Sequence, residues 1–481
     1  MIRPSFALPQ GLEGILLAVF IVMGVLCLVY AFSASGYGFS RRGLLLNTAL
    51  LVHILGGITA LLAADCISLL VGWELLAFSG FFIIVGSTEI RPGPRFAYEY
   101  IAFQIIAAAS LFTGIVIHYS ATQSLALTVV SPASAPAGVF ILFAVALKTA
   151  AMPLHFWLVD SYPAAHFSVS PLLSVYGTKV GVYTAARLLS VPVLPYLGAF
   201  MALTGVLWAL RQHSARKLLS YHIISQVGYM LIGVGLAGEA GINAGIFHAV
   251  NHIIYKALLF MVIGAVIYRT GEEDLRRLGG LGRYMPLTFL FGVIASASIA
   301  GLPFFSGYTS KALLKSASGP GVLYWIMTIV SAGTGLSFIK LIYAVFLQPR
   351  PRNERIAEAP APMLAVMAVL ALCSVLTGVF PSRIPFLPEY RYYTADRMLS
   401  AVLPLAAASL MWLFFGRKLL LRDHSPGFQF SGLLSRLQGK GRLLLKSLVR
   451  ETLYSVTSFQ VYILVALTAW AATAVLFILR M

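Results

Sequence analysis

The sequence predicts an all-α polytopic membrane protein of about fourteen transmembrane helices, two of them discontinuous, built around two inverted five-helix repeats. Three observations carry this. Hydrophobic residues make up 59% of the chain and charged ones only 10%, with a mean hydropathy of +0.89. Apolar runs of about 20 residues, each long enough to cross a bilayer as one helix, recur along the whole length. Loops rich in arginine and lysine alternate with loops that carry none, the charge bias expected of successive crossings. The short alternating strands of a membrane β-barrel are not in the pattern.

The spans fall at 11–33, 44–64, 67–87, 98–119, 137–158, 166–190, 193–210, 219–238, 243–268, 286–316, 321–347, 362–381, 396–415 and 460–480. With the N-terminus outside, every strongly basic loop lands on the cytoplasmic side. These are Arg41 and Arg42, Arg91 and Arg95, Arg211 to Lys217, Arg269 to Arg283, Arg350 to Arg355, and Arg417 to Arg422. The loops at 120–136, 239–242 and 317–320 have no lysine or arginine and fall opposite; the modest exception is 383–397, where Arg383, Arg391 and Arg397 are accompanied by Glu389 and Asp396. The C-terminus also ends outside. MIRPSFALPQ has no basic stretch leading to a small-residue cleavage site, so the first span reads as a retained helix.

Two spans contain helix breakers. Pro153 interrupts 137–158 just after Lys148, and Pro303 and Gly307 interrupt 286–316 just before Lys311. Broken helices at membrane depth persist only inside protein or beside a water-filled cavity. The breaks divide the chain into comparable units. An N-terminal helix (1–43) precedes a first five-helix repeat (44–192) and a second, inverted one (193–348), with the broken helix fourth in each. Two further helices (349–415), a cytoplasmic-side amphipathic segment (416–459) and a final helix (460–481) complete the order.

Charges inside the spans are the strongest functional signal. Glu74, Lys148, Lys179, Lys256 and Lys311 all lie within hydrophobic segments. A charge at membrane depth costs at least ~2.5–3.5 kcal/mol unless it pairs, meets water or sheds its charge. His248, His252 and Lys256 follow at i, i+4 and i+8, one face of a helix with about 6 Å of rise between neighbours. Such a stripe suits stepwise proton hopping, because imidazole both donates and accepts near neutral pH. Lys315, near a helix end, reads as a snorkelling residue.

Composition also excludes. The net charge of +18 could suggest nucleic acid, but the basic residues cluster between spans, so the excess reads as topology signal and lipid-headgroup contact. Cys27, Cys66 and Cys373 match no disulfide or metal spacing, and the i, i+4 histidines have no acidic or cysteine ligand beside them, so no metal is expected. No flavin, iron–sulfur, haem or nucleotide motif is present, and no cofactor is expected in this chain.

Five stretches, in order, resemble the antiporter-type proton-translocating subunits of respiratory complex I, Mrp-type sodium/proton antiporters and membrane-bound energy-converting hydrogenases. They are DCISLLVGWELLAFSGFFIIVG, ALKTAAMPLHFWLVD, RQHSARKLLSYHIISQVGYM, GIFHAVNHIIYKALLFMVIGAVIYRTGEEDLRRLGGLGRYMP and GLPFFSGYTSKALL, within residues 65–347. The resemblance implies that Glu74 pairs with Lys148 and that Lys179 accepts the proton next. It also implies that Lys311 forms the exit towards the outer side, and that Arg216 and Lys217 sit at the cytoplasmic boundary. Asp160 matches an aspartate near the cytoplasmic edge, a candidate entrance with Lys217 and His222, the last at a position where the family more often has Ser or Thr. Two spans precede Glu74 where the family usually has four.

These readings converge on a subunit of a multisubunit ion-pumping complex in the cell membrane, moving protons through buried Glu, Lys, His and water. The settings they leave open are an Mrp-type antiporter, a hydrogenase-like complex and a complex I-like oxidoreductase, the wording RTGEEDLRRLGGLGRYMP leaning towards the first two. Expected partners are other membrane subunits, peripheral redox subunits that would own any redox chemistry, and the lipid bilayer. The alternatives are a proton-flux subunit of a bicarbonate or carbon dioxide uptake module, and a structural membrane anchor with an inactive channel. Sodium as the coupling ion also stays open.

Overall fold

The computed structural model describes residues 5–35, 41–87, 93–130, 135–236, 238–350, 356–387 and 389–421. All regular elements among them are helices. The amphipathic segment expected at 416–459 beyond residue 421, and the final span at 460–480, lie outside the described residues. The described helices all belong to one unit, Phe6–Asp423.

Four long helices open the chain: α1 (Gly11–Ser35), α2 (Arg41–Leu62), α3 (Cys66–Ser87) and α4 (Gly93–Thr122). Asp65 starts α3 by accepting from the Ser68 backbone N–H at 2.8 Å and the Ser68 hydroxyl at 2.8 Å, which satisfies donors the helix itself leaves free. The expected span 137–158 is two half-helices, α5 (Ala135–Lys148) and α6 (Phe156–Ala164), joined by turns. Ala150 in this joint has φ +57°, a left-handed conformation that a non-glycine residue holds only under constraint.

The expected continuous span 166–190 is also divided, into α7 (Ser170–Val175) and α8 (Gly177–Leu188). Tyr176 breaks the helix although no proline lies at the junction. Its ring is fully buried and its hydroxyl donates to Phe20 O on α1 at 2.8 Å, so a tertiary contact holds the kink. Local sequence carries no such signal.

Helices α9 (Leu194–Leu210), α10 (Ala215–Gly235) and α11 (Glu239–Thr270) form the centre. Nearly every residue in the apolar windows of α10 and α11 is buried, whereas the outermost described helix, α16 (Ala395–Leu421), is mostly exposed along its window. A helix hidden on all sides presents no polar face to solvent, so its polar residues must face protein. Then come α12 (Pro286–Ala300) and α13 (Ser306–Ser318), the two halves of the second expected break. Gly301 ends α12 at φ +87°, and Phe304 in the joint has φ +71°. Both joints therefore hold a non-glycine residue in the left-handed region. Helix α14 (Val322–Ile342) runs into a π-helical turn at Tyr343–Leu347, and α15 (Ala361–Val379) precedes α16.

Nine of the described helices are long and apolar enough to cross a membrane, and the shorter apolar segments at Pro136–Lys148, Leu194–Leu210 and Pro286–Ala300 add to them. The all-α, multi-pass expectation holds.

Candidate functional site

Each discontinuity ends a helix inside the protein, and a helix end leaves carbonyls without intrahelical partners. Three buried lysines use helix-end carbonyls, two of them at these discontinuities. Lys179, in the first turn of α8, donates to Ser174 O near the end of α7 at 2.5 Å. Lys311, on α13, reaches back to the last carbonyls of α12, Ile299 O at 2.7 Å and Ala300 O at 3.3 Å. Lys340, which sequence reasoning did not single out, donates to Leu210 O and Gln212 O at the end of α9, both at 2.8 Å. A cation at a helix C-terminus also meets the negative end of the helix dipole. These amines are thus held by dipoles rather than by carboxylates.

Lys148 is the last residue of α5 and is 2% exposed. Its amine donates to Gln104 Oε1 on α4 at 2.9 Å and to Trp73 O on α3 at 3.4 Å, and lies 4.9 Å from the Trp73 ring centroid. Glu74, the next residue on α3, is half-buried and within electrostatic reach of Lys148, but makes no ion pair with it within 4.0 Å. The direct pair implied by the family resemblance is replaced by an amide contact, with the carboxylate held back. Helix α8 packs on this joint at Gly181, where a Cβ would fall 3.2 Å from Lys148 Cγ. Lys179 lies two residues earlier on the same helix and turns to Ser174 O on α7.

The stripe on α11 continues from there. His248, His252 and Lys256 are fully buried, as are Lys179 and His222. His248 Nδ1 contacts the Ser310 hydroxyl on α13 at 2.9 Å, one residue before Lys311. Asn251, three residues after His248, donates to Ser306 O at 2.9 Å. Lys256 lies 5.7 Å from the Phe260 ring centroid. His252 interacts electrostatically with Lys179, Lys256, His248 and His222, and His248 with Lys179 and Lys311. The groups form one connected set from α8 to α13.

His222, read from sequence as a candidate entrance residue, lies in this core. It sits on α10 beside Phe338, with ring centroids 4.7 Å apart, and interacts with Lys256 and Lys311. The other two entrance candidates meet each other: Lys217 Nζ on α10 and Asp160 Oδ1 on α6 form an ion pair at 3.1 Å, partly exposed. Beside it, Arg216 binds Glu273 at 2.5 Å and donates to Ala165 O at 2.6 Å.

Polar atoms of His222, Gln226, His248, Asn251, His252 and Lys256 have no hydrogen-bond partner in the protein among the described residues. Buried polar atoms left unsatisfied cost free energy, and water is the ordinary partner where protein offers none. This concentration of unmatched donors and acceptors follows the stripe itself.

Gln104 was missed by sequence reasoning, although a lone amide in FQIIAAA is itself a signal at membrane depth. Gln104→Leu is expected to destabilise the fold by about 1–3 kcal/mol, since it strips a buried amine of its nearest acceptor. Thermal unfolding in detergent measures the effect. An unchanged midpoint would show the contact to be dispensable.

Residues 63–337 match the family model described as NADH:quinone oxidoreductase/Mrp antiporter, TM. The chain is 30% identical over 404 residues to a Na(+)/H(+) antiporter subunit of Alkalihalophilus pseudofirmus, covering 79% of this chain and 80% of that one. The fold is similar to a chain of the membrane-bound sulfane sulfur reductase, an archaeal respiratory membrane complex, with TM-score 0.72 and 24% identity over 96% of this chain and 88% of the other. It is also similar to a chain of the Mrp complex from Dietzia sp. DQ12-45-1b, with TM-score 0.70 and 24% identity over 85% of each. At that identity the two structures speak for the fold.

Proposed function

The chain belongs to the NADH:quinone oxidoreductase/Mrp antiporter transmembrane family, and from that premise we propose that it carries protons through the buried row Glu74, Lys148, Lys179, His248, His252, Lys256 and Lys311. The observation that carries the reading is the row itself: Glu74 and Lys148 facing each other at the first break, and from α8 to α13 a buried, mutually interacting set of lysines and histidines with unmatched polar atoms along α10 and α11. An anchor would gain more stability from apolar residues at these places, since buried charges are poor stabilisers. His222 adds a branch to the row on α10.

Protons enter at the Asp160–Lys217 ion pair, on the side of the arginine-rich loops, and leave beyond Lys311. Both termini lie on the outer side of the cell membrane, in keeping with the basic loops facing the cytoplasm. The two units 44–192 and 193–348 act as inverted repeats, each with its fourth helix broken beside a lysine. Glu74 gates Lys148: at a distance it favours the ammonium, and a modest approach would replace the Gln104 contact by an ion pair. Partners are the other membrane subunits of a multisubunit ion-translocating complex. An Mrp-type assembly is the setting favoured by the antiporter relative.

Glu74→Gln tests the gate. In vesicles containing the whole complex, with a pH-sensitive dye inside and an imposed membrane potential, flux is expected to fall about tenfold or more. The amide keeps the size of the side chain and loses only the charge. Wild-type flux in this variant would remove Glu74 from the pathway.

A further inference from the structure

Beyond Lys311 the row does not stop. Lys315 follows at i+4 on α13, so the two lysines share one helix face with about 6 Å of rise between them. A cavity of about 20 Å³ lies against both, bounded also by Tyr308, Ser331, Ser400 and Arg397. That is room for a water molecule, which needs about 10–15 Å³.

The two amines are held alike. Lys311 Nζ lies 5.2 Å from the Tyr229 ring centroid as well as on the α12 carbonyls, and Lys315 Nζ lies 5.0 Å from the Tyr324 ring centroid and 3.4 Å from Ser400 O on α16. They are within electrostatic reach of each other. No carboxylate is among the described residues that line the cavity; Asp396 on α16 lines a neighbouring cavity with Tyr324 and Trp325, which shares Ser400 with this one. Arg397 adds a permanent charge at the rim, its guanidinium 4.0 Å from the Tyr390 ring centroid and donating to Arg391 O. Three cations gathered around one small cavity, with no carboxylate among its described lining residues, repel one another, which favours passing a proton outward over holding it.

We propose that Lys315 is a second proton carrier, which takes the proton from Lys311 through water in this cavity and delivers it at the surface beside Arg397. The step balances simply. An N–H bond of the Lys311 ammonium breaks, an N–H bond forms on the neutral Lys315 amine, and Lys315 then protonates water at the mouth. Arg397 keeps its own proton and repels returning cations. A snorkelling lysine needs only its charge and reach; a carrier must also let its proton go.

The inference rests on the proton-carrying reading of the row, and the test separates the two. In the same vesicles, Lys315→Arg is expected to lower flux about tenfold or more, because a guanidinium keeps the charge and the aromatic contact but does not release its proton. Lys315→Gln is expected to show a comparable loss, and Lys315→His to recover part of the flux, since imidazole carries protons. Wild-type flux in Lys315→Arg overturns the proposal. If that variant does not assemble, wild-type flux in Lys315→Gln overturns it equally, and loss in Lys315→Gln with recovery in Lys315→His upholds it. Lys148→Ala marks the other failure: wild-type flux there removes the row as a pathway, whereas loss in Lys148→Ala beside normal flux in Lys315→Arg removes only the second carrier.

Discussion

Lys148→Ala is expected to reduce proton flux through the assembled complex about a hundredfold, the low end of what one positioned proton-transfer group contributes. The fold should survive it. Lys148 is the last residue of α5, alanine is the best helix former, and the substitution removes a buried charge rather than creating one. What disappears is the amine at the first break. It stands between Gln104 Oε1 and Trp73 O, with Glu74 within electrostatic reach. Lys148→Arg sharpens the test, because it keeps the charge and abolishes proton release. Loss in both variants assigns the function to proton exchange; normal flux in Lys148→Arg would reduce Lys148 to a fixed charge. The readout is dye-reported flux in vesicles, with co-purification of the partner subunits as the control for assembly.

Gly307→Ala is expected to damage the fold itself. A Cβ at Gly307 would lie 1.8 Å from Ser298 O and 2.9 Å from Ser298 C. Both are backbone atoms of α12, so no side chain can rotate away, and the two half-helices must separate. Overpacking usually costs 1–3 kcal/mol, and a clash with fixed backbone belongs at about 3 kcal/mol or beyond. The displacement also draws the Ile299 and Ala300 carbonyls off Lys311, so flux should fall together with stability. A melting midpoint in detergent lowered by roughly 5 °C or more is the expected result. Gly138→Ala is the matched control: it lies in α5 with nothing within 4 Å of its would-be Cβ, and should leave the midpoint unchanged or slightly raised. A wild-type midpoint for Gly307→Ala would mean that the α12–α13 contact is looser than its geometry.

The helical class, the membrane spans and the two proline-marked breaks were legible from the chain alone. Each depends on residues adjacent in sequence: twenty apolar residues to cross a bilayer, a proline that cannot donate to its helix, basic residues gathered between spans. The α11 stripe was legible too, because helical spacing alone places His248, His252 and Lys256 on one face. Asn251, between the two histidines, joins that cluster through Ser306 on α13 and could have been suspected as an amide in an apolar span.

The rest is decided between residues far apart in sequence. Lys148 takes Gln104, forty-four residues away, as its nearest acceptor rather than Glu74, and no local pattern selects an amide over a carboxylate at that distance. His222 looks like a boundary residue by its place just after the basic pair Arg216 and Lys217, yet the packing of α10 against α11 and α14 buries it beside Lys256 and Phe338. The kink at Tyr176 exists because its ring and hydroxyl reach α1. Lys340, unremarked in the sequence, is held by the carbonyls at the end of α9. By itself the sequence determined which groups are placed at membrane depth, since hydropathy and helical period act along the chain. Only the tertiary structure decided what each of them faces, because a buried amine is satisfied by whichever carbonyl or amide the packing of other helices brings within about 3 Å.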